Sequence, residues 1–228
     1  MHISTQPPIL YFGTPVALIS TVNEDNSYNL APISSIFWLG WRCVLGMVSA
    51  SKTTQNLLRT GECVINLPSQ KEVSAVNLLA LTTGTNPVPE FKATKGYRYE
   101  PDKFGTAGLT PMASETIKAP RIKECPVQLE ARVVSSYEMG GDEETSGFFL
   151  SIETCIQRVH ADESILMTGE TNRIDPDKWR PLMMSFQQFY GLGSQLHASA
   201  LATIPENSYH SPDLEKSKRL RIVDAKYP

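Results

Sequence analysis

The segment Val44 to Asn56, VLGMVSASKTTQN, gathers three hydroxyls, one ammonium and a helix start within a few residues. A hydrophobic strand runs into Ser49, Ala50, Ser51, Lys52 and Thr53. The pattern then predicts a short helix over 53–60, with Gly61 where a left-handed C-cap is common. Such a junction presents unpaired backbone N–H groups and the positive end of a helix dipole. That set of groups holds a phosphate without a large basic patch. Lys52 would add a point charge, Ser49, Ser51 and Thr53 would add donors, and Asn56, one turn in, could reach back to the loop or the ligand. The glycines of a loop that wraps a triphosphate are missing, so a monophosphate fits better. The same residues would equally serve as a plain N-cap, with Ser51 or Thr53 satisfying the first turn and Lys52 in solvent.

A second segment, Asn29 to Trp38 (NLAPISSIFW), places Pro32 inside a strand-like run. Proline removes a ladder donor, so the ladder is expected to break or end there. Backbone groups freed at Ala31, Ile33, Ser34 and Ser35 would form a flat rim with polar edges, suited to a planar heterocycle. The plainer alternative is an edge strand that its proline keeps from aggregating.

Other chemistry is not visible. Cys43, Cys63, Cys125 and Cys155 form no CxxC pair, and His2, His160, His197 and His210 show no ligand spacing, so buried reduced thiols and no metal are expected. No GxSxG elbow occurs. Gly191-Leu192-Gly193 is not a dinucleotide fingerprint, because Leu196 stands where its third glycine would be. With a net charge of −3, the chain lacks the basic excess of a polyanion binder, which argues against nucleic acid. The apolar stretch Ile9 to Ile19 is interrupted by Gly13, Thr14 and Pro15 and is too short to span a bilayer. No secretory signal is evident, so a cytoplasmic protein is expected.

The elements that must position these residues are mostly strands. Pro15–Val22, Tyr28–Ala31, Cys43–Val48 and Glu62–Leu67 are apolar and rich in β-branched residues. In Val127–Tyr137, Val127, Leu129, Ala131, Val133 and Tyr137 share one face, with Gln128, Glu130 and Arg132 on the other. Phe148–Val159 is its expected antiparallel partner across the loop Gly140-Gly141-Asp142-Glu143-Glu144. Val73–Leu81 reads as a second short helix. Residues 86–120 read as extended loop with a short strand near Thr106–Leu109, and Lys178–Phe186 as extended. The organisation expected is a single mainly β, antiparallel domain over 1–205, with a charged tail over 206–228 that is solvated or packs on a partner subunit.

The ordered series Thr14-Pro15-Val16-Ala17, Asn29-Leu30-Ala31-Pro32-Ile33-Ser34, Ser51-Lys52-Thr53 with Asn56, and Val64-Ile65-Asn66-Leu67-Pro68 resembles the flavin reductase-like family, whose fold is the FMN-binding split barrel. The resemblance continues through Ala107-Gly108-Leu109-Thr110-Pro111, Lys118-Ala119-Pro120-Arg121 and Pro126-Val127-Gln128-Leu129-Glu130, covering roughly residues 10 to 160. It implies an antiparallel split β-barrel with FMN as cofactor. By that resemblance Asn29, Ala31, Pro32, Ile33, Ser34 and Ser35 line the isoalloxazine ring, and Ser49, Ala50, Ser51, Lys52, Thr53 and Asn56 hold the ribityl chain and phosphate. Tyr190 is a weaker carry-over as an aromatic flavin contact. The resemblance further implies a homodimer, for which Phe37, Trp38 and Trp41 are interface or core residues. It implies electron transfer from NAD(P)H or a redox partner protein to flavin or another acceptor, with no side-chain catalyst. His197 does not sit in a copy of the family's nicotinamide segment, so a non-catalytic flavin carrier on the same fold is the alternative.

Overall fold

The computed structural model describes residues 1–140 and 145–224, with backbone alone over 220–224. The strands begin with β1 (Phe12–Pro15), β2 (Ala17–Val22), β3 (Tyr28–Ile33), β4 (Ile36–Leu39) and β5 (Arg42–Val48). Helix α1 (Lys52–Thr60) and β6 (Glu62–Leu67) follow, then α2 (Val73–Leu79). A region of short elements comes next: β7 (Thr82–Thr83), α3 (Glu90–Ala93), β8 (Arg98–Tyr99), α4 (Lys103–Ala107), β9 (Pro111–Met112) and β10 (Arg121–Ile122). The long ribbon β11 (Val127–Met139) and β12 (Phe149–Ala161), the hairpin β13 (Leu182–Ser185) and β14 (Gln188–Gly191), and α5 (Pro212–Asp224) complete the chain.

Seven strands form one antiparallel sheet in the order β3-β2-β6-β11-β12-β5-β4. Its two edges, β3 and β4, are consecutive in sequence and separated by Ser34 and Ser35 alone. Three Cα steps reach at most about 11 Å, so the two edges must come together and the sheet must roll up, while no ladder joins β3 to β4. The chain thus crosses the gap of an unclosed barrel at Ser34–Ser35. Strand β2 is buried on both faces, with Ala17 and Ile19 in the barrel core and Leu18, together with Val16 just before the strand, in a second core against α2 and α4. That double burial is why the segment reads as a continuous apolar run.

Several expectations need correction. The ladder does not stop at Pro32, which pairs with Leu18, and β3 continues to Ile33 opposite Ala17. An edge strand tolerates the missing donor because one side of it has no neighbour. The start of β11 is buried on both faces. Gln128 and Glu130 are buried under the 114–122 segment, while Tyr137 on the apolar face is exposed. Residues Thr106–Leu109 are not a strand: they hold the end of α4 and its C-cap Gly108, at φ 64°. The predicted hairpin loop falls, apart from Gly140, outside the described residues. Residues beyond Pro205 are not simply a free tail. Helix α5 lies on β12 of its own chain, with Arg42 Nε donating to Asp213 (2.7 Å) and Ser217 Oγ donating to the Gln157 carbonyl (2.7 Å). Of the aromatic trio, Phe37 is exposed and Trp38 and Trp41 pack against the barrel core. All four cysteines are free and buried, and burial pushes the Cys43 thiol up to about 12, so none is poised as a nucleophile.

Candidate functional site

A cavity of about 540 Å³ opens beside the gap in the barrel. Four walls meet there. Ala31, Pro32 and Ile33 of β3, with Ser34 and Ser35, form one; Gly46, Met47 and Val48 of β5 form the second. The third is the start of α1 with Ser51, Lys52 and Thr53, facing Thr82, Thr83 and Gly84. The fourth is apolar, from Val76 and Leu79 of α2 and from Met184 and Phe189 of the C-terminal hairpin. A volume of this size suits a mononucleotide-sized ligand.

The start of α1 is built as its sequence suggests. Ser51 Oγ accepts from the Thr54 N–H (3.2 Å), and Gly61 at φ 68° closes the helix. With Ser51 spent on Thr54, the N–H groups of Lys52 and Thr53 are the open donors of the first turn. The Lys52 ammonium reaches Glu24 (3.3 Å), so its charge is shared with a carboxylate. Asn29 and Asn56 act as struts that fix this helix. Asn29 Nδ2 donates to Thr53 Oγ1 (2.9 Å) and Thr21 Oγ1 (3.3 Å), and Asn56 Nδ2 donates to Thr21 Oγ1 (3.0 Å) and Asn23 Oδ1 (2.8 Å). Asn56, fully buried against β2, does not line the cavity. Asn29 Oδ1 is buried and has no donor. Gly84 lets the 82–85 chain lie directly on this corner, since a Cβ there would stand 2.6 Å from Asn29 Oδ1 and 3.2 Å from the Lys52 side chain.

Two lysines that sequence reasoning missed complete the corner. Lys103, the first residue of α4, is 3% exposed, and Lys92 of α3 donates weakly to Thr83 Oγ1 (3.4 Å) with its ammonium 5.7 Å from the Tyr97 ring centre. Both line the cavity. Among the described residues neither forms an ion pair with a carboxylate. Burial, and then the neighbouring Lys92 charge, push the Lys103 ammonium down to about 8. Glu100 opposes this, but is itself paired with Arg98 (2.9 Å). Burial also lowers Lys92. Two partly desolvated ammoniums without a counter-charge make a pocket that favours an anion. Their segment reads as proline- and glycine-rich loop, and nothing local in it marks them.

Of the residues expected at the site, Ala31, Pro32, Ile33, Ser34, Ser35, Ser51, Lys52 and Thr53 line the one cavity. Asn29 and Asn56 brace its wall. Ser49 and Ala50 sit in the turn before α1, the Ser49 N–H donating to the Phe148 carbonyl (3.0 Å) and the Ala50 carbonyl accepting from Thr85 Oγ1 (3.3 Å). Tyr190 is 56% exposed and points away. In β14 alternate side chains face opposite sides, so Phe189 takes the cavity position and Tyr190 the outer one. His197 is exposed and not at the cavity, its Nδ1 2.5 Å from the Ala198 carbonyl oxygen.

The chain is 38% identical over 195 residues to the uncharacterized protein YdfE of Bacillus subtilis, covering 84% of this chain and 89% of that one. Flavoredoxin of Desulfovibrio vulgaris (Miyazaki F) shares the fold with a TM-score of 0.70 at 22% identity, over 89% of this chain and 99% of that one. Nitrilotriacetate monooxygenase component B from Bacillus cereus does so with a TM-score of 0.69 at 20% identity, over 87% and 99%. The family described as flavin reductase like domain matches residues 9–193, and with most of its length inside that match the chain belongs to the flavin reductase-like family.

Proposed function

We propose that this split-barrel protein is an FMN-dependent oxidoreductase that takes electrons from NAD(P)H or a protein donor and delivers them to flavin or another acceptor. The observation that carries the choice of a phosphorylated flavin is the cationic lining of the cavity, where Lys92 and Lys103, without a paired carboxylate among the described residues, share one cavity with the start of α1. A dianionic phosphate would restore counter-charge to two ammoniums that lack it, which a neutral flavin without phosphate could not do. When bound, FMN supplies the hydride and electron chemistry.

The chain's own residues then have the following roles. Lys92, Lys103, Thr53 and the α1 amides bind and orient the phosphate end. Ala31 to Ser35 and Gly46 to Val48 border the ring, and the backbone groups on the unpaired side of edge strand β3 are available to its polar edge. Val76, Leu79, Met184 and Phe189 exclude water from the opposite side. Ser49, Ala50, Asn29 and Asn56 hold the start of α1 in place, and Tyr190 stays outside the cavity. We further propose a homodimer. The exposure of His197 outside the cavity favours, as a second reading, a flavin carrier that hands electrons to a partner protein.

The test is an absorption spectrum of the protein purified with FMN, followed by anaerobic NADH, NADPH and dithionite. A yellow protein bleached by either pyridine nucleotide supports the enzyme. A yellow protein bleached by dithionite alone supports the carrier. A colourless protein that fails to quench FMN fluorescence overturns both.

A further inference from the structure

Helix α3 brings Lys92 to the cavity, yet it is four residues long, and among the described residues no other helix or strand packs broadly on it. A helix of that length does not hold itself in place. On the cavity side Lys92 makes its 3.4 Å bond to Thr83 Oγ1 and stands over the Tyr97 ring. A further contact anchors the helix from outside the cavity. Successive helical residues point about 100° apart, so Phe91 leaves α3 in a different direction from Lys92. Its ring meets the Phe148 ring edge-on, with centroids 5.4 Å apart and planes at 68°, an arrangement that aromatic pairs favour.

Phe148 immediately precedes β12 and is itself well fixed. Its carbonyl accepts from the Ser49 N–H (3.0 Å) in the turn before α1, and its ring packs edge-on against Phe149 (4.7 Å), which pairs with Val48 of β5. One residue thus touches two parts of the cavity wall: its backbone holds the turn that starts α1, and its ring holds the helix that carries Lys92. Neither Phe91 nor Phe148 lines the cavity, so neither ring serves a ligand by contact. Phe148 is also 37% exposed, and the core does not depend on its ring.

We propose that Phe148 is a positioning residue for the cofactor phosphate: its ring, through Phe91, holds Lys92 at the cavity and so sets the preference for a phosphorylated over an unphosphorylated flavin. This rests on the reading that a phosphorylated flavin occupies the cavity. An ammonium on a flexible stem gains from a phosphate only when its backbone is already in place, because otherwise binding must also order the segment that bears it. The Phe91–Phe148 contact supplies that order before the ligand arrives, from outside the cavity and at no cost in space within it.

Calorimetric titration of the full chain with FMN and with riboflavin tests this without turnover. Lys92→Met should weaken FMN about ten- to hundredfold, as loss of a charge-assisted contact implies. Phe148→Ala should lose part of that, about five- to tenfold for FMN, with riboflavin within about twofold. Phe91→Ala should do the same from the other ring, and Phe148→Tyr, which keeps the ring, should keep FMN affinity. The decisive arm is the double variant: added to Lys92→Met, Phe148→Ala should weaken FMN by no further than about twofold, because the contact through which it acts is already gone. A purely structural role would weaken both flavins and would multiply with Lys92→Met. Either of those results, or unchanged FMN affinity in Phe148→Ala and Phe91→Ala, would overturn the proposal while the flavin reading stands. A wild-type chain that binds neither flavin, or both equally, would overturn both.

Discussion

Replacing Lys103 by Met removes a buried positive charge while keeping much of its aliphatic length, and the consequences for folding and for binding have opposite signs. The ammonium is held down from 10.5 to about 8 in the folded, ligand-free chain, mainly by burial. At about 1.4 kcal/mol for each pH unit, that difference amounts to roughly 3 kcal/mol of destabilisation carried at pH 7, where the group is still charged. The Met variant should therefore unfold later without ligand, by about 5–10 °C for a chain of this size. Below pH 8 the folded and unfolded chains both hold the proton. Between about 8 and 10.5 only the unfolded chain does, so wild-type stability rises with pH there and the gap to the variant closes. Binding runs the other way. Loss of a charge-assisted contact to phosphate should weaken FMN by about 1.5–3 kcal/mol, or ten- to hundredfold, with little effect on riboflavin. Differential scanning fluorimetry from pH 6 to 10.5, with calorimetric titration of FMN and riboflavin, measures both arms. A variant no more stable than wild type at pH 7, or one that loses both flavins equally, would refute the assignment of Lys103 to an anion site.

Gly84→Ala would place a Cβ 2.6 Å from Asn29 Oδ1 and 3.2 Å from Lys52, forcing the 82–85 chain off the start of α1. Overpacking of this kind costs about 1–3 kcal/mol, and FMN affinity should fall about tenfold, read by flavin fluorescence quenching. At Glu130, burial pushes the carboxyl up, but hydrogen bonds from His160 (2.8 Å), Thr116 and the 115–116 backbone outweigh it and bring it down to about 2. Its contribution of roughly 3 kcal/mol should be present above pH 4.5 and lost as pH falls towards 2. Glu130→Gln should therefore be clearly less stable than wild type at pH 7, with the difference shrinking below pH 4, as denaturant titrations at each pH would show.

Local signals in the sequence are enough for the longer strands β2, β3, β5, β6, β11 and β12, for α1 between its Ser51 and Gly61 caps, and for the order of motifs that marks the family. Propensity, capping and period-2 alternation act over a few residues, so they can be read along the chain before the tertiary context is known. The cavity was legible only in part. Ala31 to Ser35 and Ser51 to Thr53 announce themselves because a proline and a helix start alter the backbone locally. Lys92 and Lys103 do not, since each lies in a polar, proline-rich segment and acquires its desolvated charge only when α4 packs on α2 and β3 and Lys92 of α3 reaches Thr83 of β7. The inward turn of Phe189 instead of Tyr190 depends on hairpin register against β1, which shifts every side chain by one face for each residue of slip. Asn56 shows the same limit from the other side: its type and spacing suggest a ligand contact, and the fold uses it as a strut. Sequence alone therefore determined which segments could hold charge or turn sharply. Which of them meet around one cavity was decided by long-range pairing, because a side chain's field and burial belong to its neighbours in space and not to its neighbours in the chain.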